Sequence, residues 1–316
     1  MPDVTFANRV TQLLGVDVPI LQAPMGYIAK PRLVAAVSEA GAMGLVPGSL
    51  GTEEVRADIR RTRELTDKPF GVNLPLAFVK DPAIVDMIVE EGIGFVTTSA
   101  GSPTAHTPRL KEAGLTVFHV VPSLRGAQKA IEAGVDGLVV EGSEGAGFKA
   151  PREVSSMVLL PLVAAQVGVP VVAAGGIADG RSMAAAFALG AEGVQMGTRM
   201  VATEESPVHQ NMKDAVVAAT ETDTMLINKH NGKQVRVLRT EATAPFEITT
   251  EGDPMALLGT IHGLYRDGDL NASLAQLGQV AGRIGRVEPV AEIIRRTVAE
   301  FEETLGGLAE RYLEGA

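Results

Sequence analysis

Two glycine-bearing turns carry the most definite chemistry in the sequence. The apolar run of Val171-Val-Ala-Ala-Gly-Gly-Ile177 ends on Gly175 and Gly176, and Gly193-Val-Gln-Met-Gly-Thr198 ends on Gly197 and Thr198. Adjacent glycines permit positive φ and let a ligand approach the backbone closely. Such turns at strand ends turn N–H groups toward an anion, so the two suit a phosphate cradle. Either turn alone also fits a plain tight turn. Together, at the last two strands of a barrel, they coincide with the phosphate position of that fold. The other candidate stretches are Gln22-Ala-Pro-Met-Gly26, Pro47-Gly-Ser49, Asn73-Leu-Pro75, Ser99–Pro103, Pro122-Ser123 and Glu141-Gly-Ser-Glu-Gly-Ala-Gly-Phe-Lys149. They contain no facing pair of carboxylates of the glycosidase kind. The histidines (His106, His119, His209, His230 and His262) share no ligand spacing, so no metal is expected. A rim this poor in acids, bases and nucleophiles points to chemistry done by a bound cofactor.

These stretches need strands that end beside one another. Eight apolar segments qualify: Pro19–Ala23, Met43–Val46, Phe70–Leu74, Gly94–Thr98, Thr116–Val121, Gly137–Glu141, Pro170–Ala174 and Gly193–Met196. Helical patterns separate them, at Pro31–Ala40, Thr52–Leu65, Pro82–Glu91, Thr104–Ala113, Leu124–Ala133, Val154–Val167 and Arg181–Leu189. A loose repeat marks the junctions, as in Glu39-Ala-Gly-Ala-Met-Gly-Leu-Val46, Glu112-Ala-Gly-Leu-Thr-Val-Phe118 and Glu132-Ala-Gly-Val-Asp-Gly-Leu-Val139. Each reads as a helix end, a C′ glycine, a short loop and a strand. Eight such units predict an α/β fold, a (β/α)8 TIM barrel. A doubly wound open sheet is the rival, and it has fewer strands as a rule.

The pattern changes after Pro207. Val208–Thr220 reads as a helix, Glu221–Glu251 is polar with little periodicity, and Asp253–Asp267 and Leu270–Leu277 look helical. We therefore expect a barrel of residues 1–203 and 278–316 that carries a small, mostly helical substrate or lid domain, 204–277, after the eighth strand. Val287–Tyr312 reads as an amphipathic helix returning to the barrel, with Val290, Ile293, Ile294, Val298, Phe301 and Leu305 along one stripe. The same stripe would suit a homodimer seam.

Among 316 residues, 46% are hydrophobic, enough for a large core, and the net charge of −10 argues against nucleic acid or an anionic membrane as partner. The chain has no Cys, which removes disulfides, iron–sulfur clusters and thiol nucleophiles. No apolar run reaches membrane-spanning length, and Met1–Val10 lacks a secretory apolar core, so a cytoplasmic enzyme with a small-molecule substrate is expected.

Six blocks in order complete the reading: Pro19-Ile-Leu-Gln-Ala-Pro-Met-Gly26, Phe70-Gly-Val-Asn-Leu74, Val139-Val-Glu-Gly-Ser-Glu-Gly-Ala-Gly147, the two glycine turns, and Gly278-Gln-Val-Ala-Gly282. Together they resemble the nitronate monooxygenase (2-nitropropane dioxygenase) family, which also holds flavin-dependent enoyl-acyl-carrier-protein reductases and an NADH:quinone reductase branch. The resemblance implies FMN in the barrel. It places Ala23, Pro24 and Met25 along the flavin ring, Asn73 near the ring and ribityl chain, Glu141 at the flavin side, and Ala146 and Gly147 as backbone contacts. Gly175, Gly176, Gly197 and Thr198 then hold the FMN phosphate. For Asn73 and Glu141 the plainer reading is a buried, satisfied polar side chain.

The sequence departs from the family pattern once. Where the loop after the sixth strand normally ends in a histidine, this chain has Phe148, followed by Lys149. Phe can neither take a proton nor hydrogen-bond a nitronate, so no catalytic residue is carried over, and Phe148 is expected to wall the flavin. Lys149 is a candidate cation whose one-residue shift should aim its side chain elsewhere. Gln279 is expected either to reach the substrate pocket or to serve a turn. The implied activity is an NAD(P)H-dependent flavin reductase acting on a quinone or an enoyl-thioester C=C. The rivals are a nitronate monooxygenase working without the histidine and a non-redox barrel binding a phosphorylated ligand.

Overall fold

The computed structural model describes residues 4–79, 81–249 and 251–313. The extreme ends of the expected barrel ranges, 1–3 and 314–316, lie outside the described residues. The strands are β1 Ile20–Gln22, β2 Gly44–Pro47, β3 Phe70–Pro75, β4 Phe95–Ser99, β5 Thr116–Val121, β6 Gly137–Glu141, β7 Gly147–Phe148, β8 Val171–Ala174, β9 Gly193–Met196, β10 Thr224–Ile227 and β11 Val235–Leu238. The helices are α1 Arg9–Leu14, α2 Pro31–Glu39, α3 Thr52–Arg63, α4 Ile84–Glu90, α5 Thr107–Glu112, α6 Leu124–Glu132, α7 Ser156–Ala164, α8 Gly180–Ala188, α9 Thr198–Val201, α10 Gln210–Ala218, α11 Ile261–Tyr265 and α12 Val290–Tyr312.

Eight strands form one parallel sheet in the order β1-β9-β8-β6-β5-β4-β3-β2. A parallel bridge between Leu21 and Met43 closes β1 onto β2, making the expected barrel. Gln22 reinforces this seam: its Oε1 accepts from Leu45 N–H at 3.1 Å and its Nε2 donates to Leu45 O at 3.3 Å. A buried side-chain amide thus stands in for missing backbone pairing. The repeated C′ glycines have the left-handed φ that the motif requires, from 67° at Gly92 to 100° at Gly190.

The barrel interior is a packed core of Leu21, Met43, Leu45, Phe95, Phe118, Val139 and Val172, floored by Val10 and Leu14 of α1. A larger apolar layer lies between the strands and the outer helices. The return helix α12 buries Val290, Ile293, Ile294, Val298 and Phe301 against α8 and α2, while Leu305 at the end of the expected stripe is exposed.

The segment 204–277 differs from expectation. It holds α10, α11 and short 3-10 turns, but its centre is a β-sheet. β10 and β11 pair antiparallel, and β11 pairs antiparallel with β7, so this unit reaches back and grips the loop after β6. Both hairpin strands are buried along their whole length, and only the short Gln234-Val-Arg-Val237 run alternates in the sequence. Leu270–Leu277 is not helical: Leu238 N–H donates to Ala275 O at 2.7 Å, holding this stretch extended beside the hairpin.

Candidate active site

One cavity of about 1210 Å3 opens at the C-terminal ends of the barrel strands. Ala23, Pro24, Met25, Asn73, Glu141, Ala146, Gly147, Phe148, Gly175, Gly176, Gly197 and Thr198 all line it. Gln279 does not: it sits exposed on the 3-10 turn Gln279–Arg283, and its N–H donates to Glu144 O at 3.0 Å. Its place at the cavity wall is taken by Gln276.

The two glycine turns differ in backbone form: Gly197 has a φ of −108°, outside the left-handed region. Gly175 and Gly176 have φ of 92° and 79°. A Cβ on Gly175 would lie 3.1 Å from Gly142 O, so the turn packs tightly on the loop after β6. Among the described residues, no protein acceptor takes the N–H of Gly175, Gly176 or Gly197. Thr198 Oγ1 accepts from Gly278 N–H at 2.9 Å, which stitches the C-terminal return onto the second turn.

Around the cavity the polar groups are held by neighbours. Buried Asn73 donates to Thr97 Oγ1 at 3.0 Å and to Ser99 Oγ at 3.2 Å. Glu144 accepts from the N–H and hydroxyl of Ser156, which ties down the loop after β6. His119 lines the cavity from β5 and shares a 2.6 Å hydrogen bond with Thr98 Oγ1. Burial lowers its pKa to about 4, so it is neutral at physiological pH.

The loop after β6 corrects one expectation. Lys149 points into the cavity wall, with its side chain only 5% exposed and Nζ 2.5 Å from Glu141 Oε1. Its N–H donates to Gln234 O, continuing the β7–β11 pairing. Successive residues on a strand face opposite ways. Phe148 therefore turns to the mouth, 39% exposed, and packs against Phe78 with ring centroids 5.6 Å apart.

These residues fit a flavin mononucleotide. The unclaimed N–H groups of two glycine turns suit its phosphate, and the Ala23–Met25 turn lines the same space. Gln195 supplies a further mark: it lines the cavity, is 9% exposed, and its Oε1 has no partner. Such a buried acceptor awaits a donor from a ligand or water. The sequence singled out neither Gln195 nor His119 as a lining residue. For Gln195 the signal was alternation, since it stands two residues before Gly197 on a strand. Among the described residues no His, Asp and Glu cluster could hold a metal, and no helix is long and apolar enough to cross a membrane.

The relatives of this chain include a dehydrogenase and nitronate monooxygenases. FabK from Thermotoga maritima superposes with a TM-score of 0.91 at 41% identity, covering 98% of this chain and 100% of its own. A (3aS,4S,5R,7aS)-5-hydroxy-7a-methyl-1-oxo-octahydro-1H-indene-4-carboxyl-CoA dehydrogenase of Rhodococcus jostii is 38% identical over 77% of this chain and 69% of its own. A nitronate monooxygenase of Paraburkholderia phytofirmans is 28% identical over 98% of this chain and 99% of its own. The sequence model described as nitronate monooxygenase matches residues 7–300. With that model spanning most of its length, the chain belongs to the nitronate monooxygenase family and is an oxidoreductase.

Proposed function

We propose that the protein is an FMN-dependent oxidoreductase that uses NAD(P)H to reduce an activated C=C of enoyl-thioester type, or a quinone. The observation carrying this reading is one cavity that joins two glycine turns with unclaimed N–H groups to a partly buried Lys149–Glu141 pair. Relatives whose names include FabK and a CoA-thioester dehydrogenase support a thioester acceptor over a nitronate.

FMN, when bound, supplies two-electron redox chemistry. The residues would divide the remaining work. Gly175, Gly176, Gly197 and Thr198 bind the phosphate. Ala23–Met25, Asn73 and Gln195 seat the ring and its side chain. Phe148 and Phe78 form an apolar edge that limits water at the mouth. Reduction of a C=C needs a proton at the α-carbon, and Lys149 Nζ, held by Glu141, is the acid placed to give it. A quinone makes no such demand.

The test is the absorbance spectrum of the purified protein followed by anaerobic titration with NADH and NADPH. Flavin bands at about 370 and about 450 nm that bleach with either nucleotide are expected. Flavin that neither nucleotide bleaches would overturn the reductase. A colourless protein that cannot be reconstituted would favour a non-redox barrel. The second reading, nitronate oxidation with O2, is favoured by the family match. In that case an alkyl nitronate turns over in air without NAD(P)H, with the Lys149 ammonium meeting the anion.

A further inference from the structure

We propose that Arg125, Lys129 and Arg152 form a second phosphate site at the cavity mouth. Its ligand class is a phosphoadenosine nucleotide, the nucleotide end of either a coenzyme A thioester or NADPH. This rests on the function proposed above and names how its substrate is held.

Acidic and basic side chains both line the cavity. The three carboxylates are all engaged. Glu141 holds Lys149 at 2.5 Å, Glu144 accepts from Ser156, and Glu153 faces Lys229 at 3.8 Å and Arg236 at 4.0 Å. Lys149 is consumed by Glu141. The charged lining residues that remain are Arg125, Lys129 and Arg152. Among the described residues, none of them forms an ion pair with a carboxylate within 4.0 Å. All three are exposed and line the same cavity.

Their placement is specific. Arg125 and Lys129 are four residues apart on α6 and share a face. Gly126, next to Arg125 on the same helix, also lines the cavity. Arg152 comes from the loop after β6, the strand next to the β5 that feeds α6. The glycine cradle lies on the other side of β6, at the ends of β8 and β9. The cavity thus has two anion-binding regions of different make. One is a set of backbone N–H groups in tight turns, suited to a fixed phosphate. The other is a set of exposed side chains, suited to a ligand that enters and leaves. Guanidinium forks match phosphate oxygens in pairs, and a nucleotide with an extra ribose phosphate offers several.

The experiment measures binding of two fragments to the full chain loaded with FMN. Adenosine 3′,5′-bisphosphate represents the coenzyme A end and adenosine 2′,5′-bisphosphate the NADPH end. The variant is the triple replacement Arg125→Gln, Lys129→Gln, Arg152→Gln, on exposed positions. At least one fragment should bind the wild type, more weakly as salt rises from about 50 to about 300 mM, and the triple variant should lose about tenfold or more in affinity. The tighter fragment names the source. Wild-type affinity in the triple variant, or no binding of either fragment to the flavin-loaded wild type, overturns the site and leaves the proposed function standing. A protein that binds a fragment but holds no flavin overturns the proposed function and leaves the site.

Discussion

Lys149 shows how the pairing of a two-residue strand decides which side chain meets the chemistry. Phe148 turns outward and Lys149, just past β7, inward because β7 is registered on Val235 and Arg236 and Lys149 N–H carries that pairing on to Gln234 O. Those residues are far along the chain, so a reading of the loop alone could not orient Lys149. If Lys149 is the acid, Lys149→Met should cut turnover of an enoyl thioester by about a hundredfold. Quinone reduction and flavin content should stay near wild type, and equal losses with both acceptors would remove the proton-donor role. His119 makes a separate prediction about pH. Unfolded, it takes a proton near its ordinary pKa of 6.5, while in the fold it resists protonation down to about 4. Its contribution to stability is therefore full above 6.5 and is lost as pH falls from 6.5 to about 4. The total is about 3 kcal/mol. Urea unfolding at about pH 7 and about pH 4.5 should show the wild type losing more stability than His119→Gln, and equal losses would contradict the buried neutral imidazole.

The barrel elements were legible because each repeats one local rule, an apolar strand followed by a helix that ends on a C′ glycine. All eight barrel strands lie at or within a residue or so of their expected spans. The hairpin escaped notice because β10 and β11 are buried on both faces and joined by a seven-residue turn. The signal that could have found it is Asn231-Gly232, where Gly232 takes a φ of 64°. This hairpin has its own small core of Met225, Ile227, Val235, Val237 and Leu274, separate from the barrel's. Leu274→Ala should cost about 2–5 kcal/mol within that unit. Hydrogen exchange should then quicken at 224–238 and at 147–149, which β11 carries, while β8 and β9 keep their protection. Uniform loosening of the barrel would mean that the two cores fold as one.

At the scale of the molecule, the site is assembled from the far end of the chain as well as from the barrel. Gly278 is wedged between Thr198 and the loop after β6, and a Cβ there would lie 2.8 Å from Glu144 O. Arg283 pairs with Asp179, the N-cap of α8, and Glu300 accepts from Gly180 N–H at 3.1 Å. α12 thus clamps the helix that starts four residues after the Gly175–Gly176 turn. Gly180 is where the clamp closes, because a Cβ there would collide with the backbone at Phe301 N and Thr297 O. The φ of Gly180 lies outside the left-handed region, so the effect of Gly180→Ala is steric. Overpacking of this kind costs about 1–3 kcal/mol, and at about 2–4 °C per kcal/mol the melting temperature should fall by roughly 2–12 °C. If the Gly175–Gly176 turn holds the FMN phosphate as proposed, the variant should also release FMN several-fold more readily, because α8 follows that turn. Adding FMN at about 100 times its dissociation constant should return about 2.7 kcal/mol of stability. A variant that melts lower but binds FMN as tightly as the wild type would show that α12 supports the barrel without reaching the cradle.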